Sequence, residues 1–236
     1  MPTKGIFSLF VGYVRHLRDR REFVAPLQLT GRLEYYLVHE FIGHVFQASA
    51  GRLLGKVNLG GKGEQKFDIS FVEGTPASPE TIVALVEAKY LGNAHRTDPV
   101  DTARDEISTT LKDLRRQLHR FTGTTHAKTP VRLRSLNKEV YGLVFASYTK
   151  PVGELYAKND FYRDVNRRAT EYGFRYHDLP TPWLHPVYDD IEVKILGTVY
   201  RVTLRAGLWR AGVMNTPSGY ASAVRGLARE QGTLSE

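Results

Sequence analysis

Asp68, Glu87 and Lys89 are the residues of this chain whose types and spacing could do chemistry. Two carboxylates held side by side bind a hard divalent cation through oxygen, and magnesium suits such a pair. A lysine next to them can orient a water or stabilise a phosphoryl group. Together they would supply what phosphodiester hydrolysis needs: neutralised phosphoryl oxygens, an activated water and stabilisation of the developing charge.

Such a site requires particular elements around it. Over Lys66–Val72, Phe67, Ile69 and Phe71 alternate with Asp68, Ser70 and Val72, which predicts a strand. Thr81–Tyr90 reads as a second strand. Residues two apart share a face, so Val83, Leu85, Glu87 and Lys89 should point one way and Val86 and Ala88 the other. A strand apolar on both faces is expected in the centre of a sheet. An acid and a lysine at its end are then out of place unless they pair or bind something. The loop Gly74-Thr75-Pro76-Ala77-Ser78-Pro79 would return the chain so that Asp68 lies beside Glu87 in an antiparallel pair.

A helix is expected from Thr30, as N-cap, to about Ala48. At about 100° per residue, Leu33, Leu37, Val38, Phe41, Ile42 and Val45 form one apolar arc with Glu34 near its middle and Glu40 toward its edge. A core-facing glutamate needs a cation or a proton, so Glu34, ahead of Glu40, is the candidate for a further metal ligand. The bland alternative is a glutamate snorkelling at a helix start, where it suits the macrodipole.

Read end to end, the chain opens with an amphipathic helical segment to about Phe23, broken at Pro26. The helix above follows, then short strand Leu53–Val57, the two strands of the site, helix Asp98–Phe121 with Gly123 just beyond it, and apolar strand Glu139–Tyr148. Helix, three strands, helix and strand predict an α/β core with a central mixed sheet flanked by helices. After Pro151 come a helix near Asp160–Tyr172, a Pro-rich turn at residues 179–183, a hairpin Ile191–Trp209 turning at Gly197 and a short basic helix near Tyr220–Arg229. The expected division is an N-terminal helical arm (1–29), a core (30–150) and a C-terminal α+β extension (151–236).

This pattern resembles the PD-(D/E)XK, or restriction-endonuclease-like, nuclease superfamily. Asp68 matches its aspartate, Glu87-Ala88-Lys89 its E-X-K triplet, and Gly31-Arg32-Leu33-Glu34 its helix glutamate motif, over about residues 30–148. Phe67 stands where the motif has proline. Gln117 fits a Gln-x-x-x-Tyr motif of some members, but Phe121 replaces the tyrosine. The resemblance implies a restriction-endonuclease-like fold and a Mg²⁺ site (Mn²⁺ as a substitute) held by Asp68, Glu87, the Ala88 carbonyl and Glu34. Lys89 would then position the attacking water. Two other acid-x-Lys triplets occur, Glu64-Gln65-Lys66 and Glu192-Val193-Lys194, the latter with Asp178 upstream. Only Glu87-Ala88-Lys89 is followed by a long helix and an apolar strand.

Composition agrees with a polyanionic partner. The chain has 236 residues, a formal charge of +8, a pI of about 9.6 and 42% hydrophobic residues, and basic surfaces neutralise phosphates. Lys112, Arg115, Arg116 and Arg120, with Gln117, are the candidate nucleic-acid contacts; Lys128, Arg132 and Arg134 follow them. The run Arg15–Glu22 is either a solvated helix end or a phosphate-contacting arm. The absence of cysteine excludes disulfides, Cys-ligated zinc and a thiol nucleophile. His39 and His44 are five apart, the wrong spacing for a zinc-protease helix, and Gly60-Gly61-Lys62-Gly63 is not a nucleotide-binding loop. No apolar run approaches membrane length, and no signal-peptide layout is visible, so a cytoplasmic location is expected. The resulting expectation is a Mg²⁺-dependent DNA nuclease, an endonuclease of restriction, repair or mobile-element type, acting as a homodimer or with a partner subunit. The alternatives are a catalytically inactive nucleic-acid-binding module or a structural subunit of a defence or transposition complex.

Overall fold

Apolar residues recur every third or fourth position from Ile6 to Leu17, and the chain winds there into helix α1 (Ile6–Asp19), burying Phe10, Tyr13, Val14 and Leu17. This computed structural model describes residues 5–30, 33–57, 68–73, 81–92, 100–122, 138–154, 157–174, 176 and 184–212. The helical break falls at Arg20, whose backbone (φ −103°, ψ 18°) leaves the helical region. It does not fall at Pro26, which lies inside helix α2 (Arg21–Leu27). Pro26 is the penultimate residue of this seven-residue helix, so it forgoes only a single backbone bond before the helix ends. A 3-10 turn (Gln28–Thr30) follows, and the Thr30 hydroxyl donates back to the Leu27 carbonyl at 2.8 Å. Helix α3 spans Leu33–Ala48.

Six strands form one mixed sheet: β1 (Leu53–Val57), β2 (Ile69–Glu73), β3 (Thr81–Gly92), β4 (Glu139–Pro151), β5 (His185–Ile195) and β6 (Thr198–Arg210), in the order β1-β2-β3-β4-β6-β5. Only β3 and β4 run parallel, joined through helix α4 (Val100–Thr122); the other neighbours are antiparallel. The chain is thus an α/β protein with a mixed sheet between helices, and β3 is central, as its double-sided apolarity predicts. Helices α1, α2 and α3 cover one face. Helices α4 and α5 (Lys158–Glu171) cover the other.

Three expectations need correction. Val83 does not share a face with Leu85: the register jumps from Phe71↔Ala84 to Val72↔Ile82, and Val83, the extra residue of this bulge, packs with Ala84 on the α1–α3 side. The segment expected as an N-terminal arm is core: Tyr13 donates to the Leu37 carbonyl at 2.6 Å, and Arg18, 8% exposed, donates to the carbonyls of Val187 and Pro186, each at 3.3 Å. The hairpin is longer than expected, starting at His185, and β6 pairs with β4 from Tyr141 to Pro151, so the extension continues the central sheet. Its register slips twice between Pro186 and Ile191, with Asp190 at φ 54°, and these bulges interrupt the alternation that marks a strand. The expected helix at 220–229, the Pro-rich turn and the Gly60–Gly63 turn lie outside the described residues. Among the described residues no helix is long and apolar enough to cross a membrane.

Candidate active site

Strand β3 builds the site. Its Val86 and Ala88 face the α1–α3 layer while Leu85 and Leu91 face α4, so Glu87 and Lys89 project toward the α4 side. Asp68 lies one residue before β2. The last paired residues are Ile69 and Val86, and one further step of that register sets Asp68 opposite Glu87. The Asp68 carboxylate accepts the Ala88 amide proton at 2.8 Å, and the Asp68 amide donates to the Glu87 carboxylate. Lys89 Nζ donates to Glu87 Oε1 at 2.7 Å. The antiparallel pairing thus brings together Asp68, Glu87 and Lys89.

Their electrostatics follow from burial. Glu87 is 4% exposed. Burial, then the adjacent Asp68 charge, pushes its carboxyl up to about 7, against the pull of Lys89. Burial disfavours the charged Lys89 ammonium, but Glu87, Asp68 and Glu34 outweigh it and hold the lysine pKa above its usual value.

Glu34 departs from expectation. Leu33, Leu37, Val38, Phe41 and Val45 are the buried residues of α3, and Glu34 is exposed. The start of α3 instead lies near the end of β3, where the Glu34 carboxyl is raised by the surrounding protein, lowered by Lys89 and raised by Asp68. It stands at the rim of the site. Glu40 is elsewhere: Arg20 donates to both of its oxygens at 3.0 Å, and His16 lies at 3.2 Å from Oε2.

Oxygen donors predominate, and Lys89 alone supplies positive charge within the group. That donor chemistry fits a hard divalent cation. Asp68, Glu87 and the Ala88 carbonyl would hold it, with Glu34 at the rim. Among the described residues, however, no group of three or more histidine, aspartate or glutamate side chains stands close enough together to hold a metal ion.

The α4 candidates lie on the sheet face that Glu87 and Lys89 share. Lys112, Arg115 and Arg116 are exposed on α4; Arg116 pairs with Asp113, and Arg115 Nε approaches His119 Nε2 at 3.4 Å. Gln117 is half-buried, with a buried Oε1 that accepts no hydrogen bond. The Arg120 side chain, Lys128, Arg132 and Arg134 lie outside the described residues. The rival Glu192 is exposed and pairs with Arg201 at 3.4 Å, an ordinary surface contact.

Sequence reasoning missed Tyr90 and Gln28. The Tyr90 ring lies across Gly92, where an added Cβ would come within 2.6 Å of it. Its phenol hydrogen-bonds Ser147, and burial, with the nearby Glu34 charge, pushes it up to about 12. The triplet Lys89-Tyr90-Leu91 preceding a glycine was a visible signal for the ring; nothing local marks Gln28. Comparison of the chain with protein-family models, curated proteins and solved structures finds no match.

Proposed function

We propose that this chain is a Mg²⁺-dependent DNA endonuclease with a restriction-endonuclease-like core. The observation that carries the reading is the convergence of Asp68, Glu87 and Lys89 from two antiparallel strands at one end of the sheet, with the start of α3 beside them. The element order α3-β1-β2-β3-α4-β4 supports the same fold. Asp68 and Glu87, with the Ala88 carbonyl, hold the cation, and Glu34 joins from the rim, directly or through water. When bound, magnesium supplies charge against the phosphoryl oxygens and acidifies a coordinated water. Lys89 exchanges its bond to Glu87 for one to the attacking water or the phosphate. Lys112, Arg115 and Arg116 contact the DNA backbone.

The test uses closed circular and linear DNA, single- and double-stranded, in magnesium or manganese. Wild type should cut closed circles. Lys89→Ala should slow cleavage by about a hundredfold or more, with DNA binding largely unchanged. Full cleavage by that variant overturns the assignment.

One observation favours a rival. Lys89 and the Ala88 amide already satisfy Glu87 and Asp68, as in a non-catalytic nucleic-acid-binding module whose acids are structural. That module would take up no divalent cation, and Asp68→Ala would leave its DNA affinity intact.

A further inference from the structure

Gln28 is 1% exposed and carries a polar amide into the core. An unbonded amide there is costly, and each of its atoms is used. Its Oε1 accepts from Ser147 at 2.8 Å and Thr149 at 3.2 Å, both on β4. Its Nε2 donates to the Tyr188 hydroxyl on β5. Ser147 in turn bonds Tyr90, the residue after Lys89. The chain of bonds runs Tyr90 to Ser147 to Gln28 to Tyr188, from the site to the β5–β6 hairpin.

Gln28 also fixes the backbone at a sensitive place. It opens the 3-10 turn that leads into α3, whose second residue is Glu34. An apolar side chain of similar size would fill the space, yet it would not select one orientation of the turn; a fully satisfied polar network does. We infer that Gln28 is a positioning residue, which, anchored on β4 and the hairpin, holds Glu34 and Tyr90 in place against Asp68, Glu87 and Lys89. The inference rests on the metal-site reading above. It gives the hairpin a part in the site although none of its residues belongs to the acid–lysine group.

A double-mutant cycle on the full chain tests it, with Gln28→Met, Glu34→Ala and the double variant. Mn²⁺ binding is measured by calorimetry in the absence of DNA, beside plasmid cleavage and the melting temperature. Gln28→Met should weaken Mn²⁺ binding on the order of tenfold, as removal of a group that orients metal ligands does. In the Glu34→Ala background its effect should shrink well below tenfold, because Gln28 acts in large part through Glu34. A residue that only stabilises the core would lower the melting temperature equally in both backgrounds and leave Mn²⁺ affinity alone. Additive losses, or unchanged Mn²⁺ affinity in Gln28→Met, overturn the inference while the nuclease reading stands. A wild type that neither binds Mn²⁺ nor cuts DNA overturns both. Should Gln28→Met fail to fold, Ser147→Ala removes one bond of the same network, and the cycle is read with it by the same criteria.

Discussion

Glu87 stands where a carboxylate is expensive to ionise: buried, opposite Asp68 and beside one lysine. Its carboxyl is pushed up to about 7 in the folded chain, well above the usual glutamate range, so the folded state holds this proton more tightly than the unfolded one. Its contribution to stability is therefore complete below about pH 4.5 and is lost as the pH rises through about 7, by at most roughly 3–4 kcal/mol. In metal-free buffer, urea melts of wild type should lose stability across this window, and Glu87→Gln should flatten that slope; parallel slopes would contradict the assignment. Metal affinity should move the opposite way, rising with pH until Glu87 is ionised. At this scale the sequence showed a good deal. Strand parity is geometric, so alternation put Glu87 and Lys89 on one face, and an antiparallel return put Asp68 beside them. Glu34 was misjudged because a helical wheel gives direction around an axis and says nothing of where the underlying sheet ends. Gln28 was invisible because its partners Ser147 and Tyr188 lie 119 and 160 residues away.

Elements were legible where one period dominates and illegible where tertiary packing bends the chain. β1 was read to the residue, and α4 and β4 to within a few residues. The bulge at Val83 and the two slips in β5 carry no local turn signal. Helix α3 meets β1 at Gly55, where an added Cβ would stand 2.6 Å from the Ile42 side chain. Ile42 is β-branched and cannot swing away freely, so Gly55→Ala should destabilise by roughly 1–3 kcal/mol in chemical denaturation. The β5–β6 turn offers the reverse case. Leu196 is fully exposed and sits at φ 48°, followed by Gly197 at φ 83°. A leucine in the left-handed region is strained, while asparagine tolerates it. Leu196→Asn should raise stability by roughly 0.5–1 kcal/mol, seen as a higher denaturation midpoint with an unchanged slope.

The molecule as a whole is less divisible than its sequence suggests. The expected division into arm, core and extension follows proline and composition changes along the chain, and these report local breaks. Contacts between α1 and β5, and the long β4–β6 pairing, cross both expected boundaries. Unfolding by urea should accordingly give one transition, with tryptophan fluorescence and far-ultraviolet circular dichroism coincident; a separate early loss of the Trp209 signal would mean that the hairpin comes away on its own. The same connectivity explains why the site could not be completed by inspecting residues 30–148: the hydrogen bonds behind Tyr90 end on a strand beyond them.

The bonds from Arg18 to the Val187 and Pro186 carbonyls have a consequence for how the chain is made. Arg18 leaves the ribosome well before the strand it binds, which lies 168 and 169 residues further on. At translation rates of about 5–20 residues per second, that delay is on the order of ten to thirty seconds. For that interval α1 can pack on α3 but not on the hairpin, and its apolar face stays partly uncovered in the nascent chain. Completion of the fold must wait for one of the last strands to be synthesised, so a ribosome that stalls before residue 188 leaves a product that no contact within its own sequence can finish.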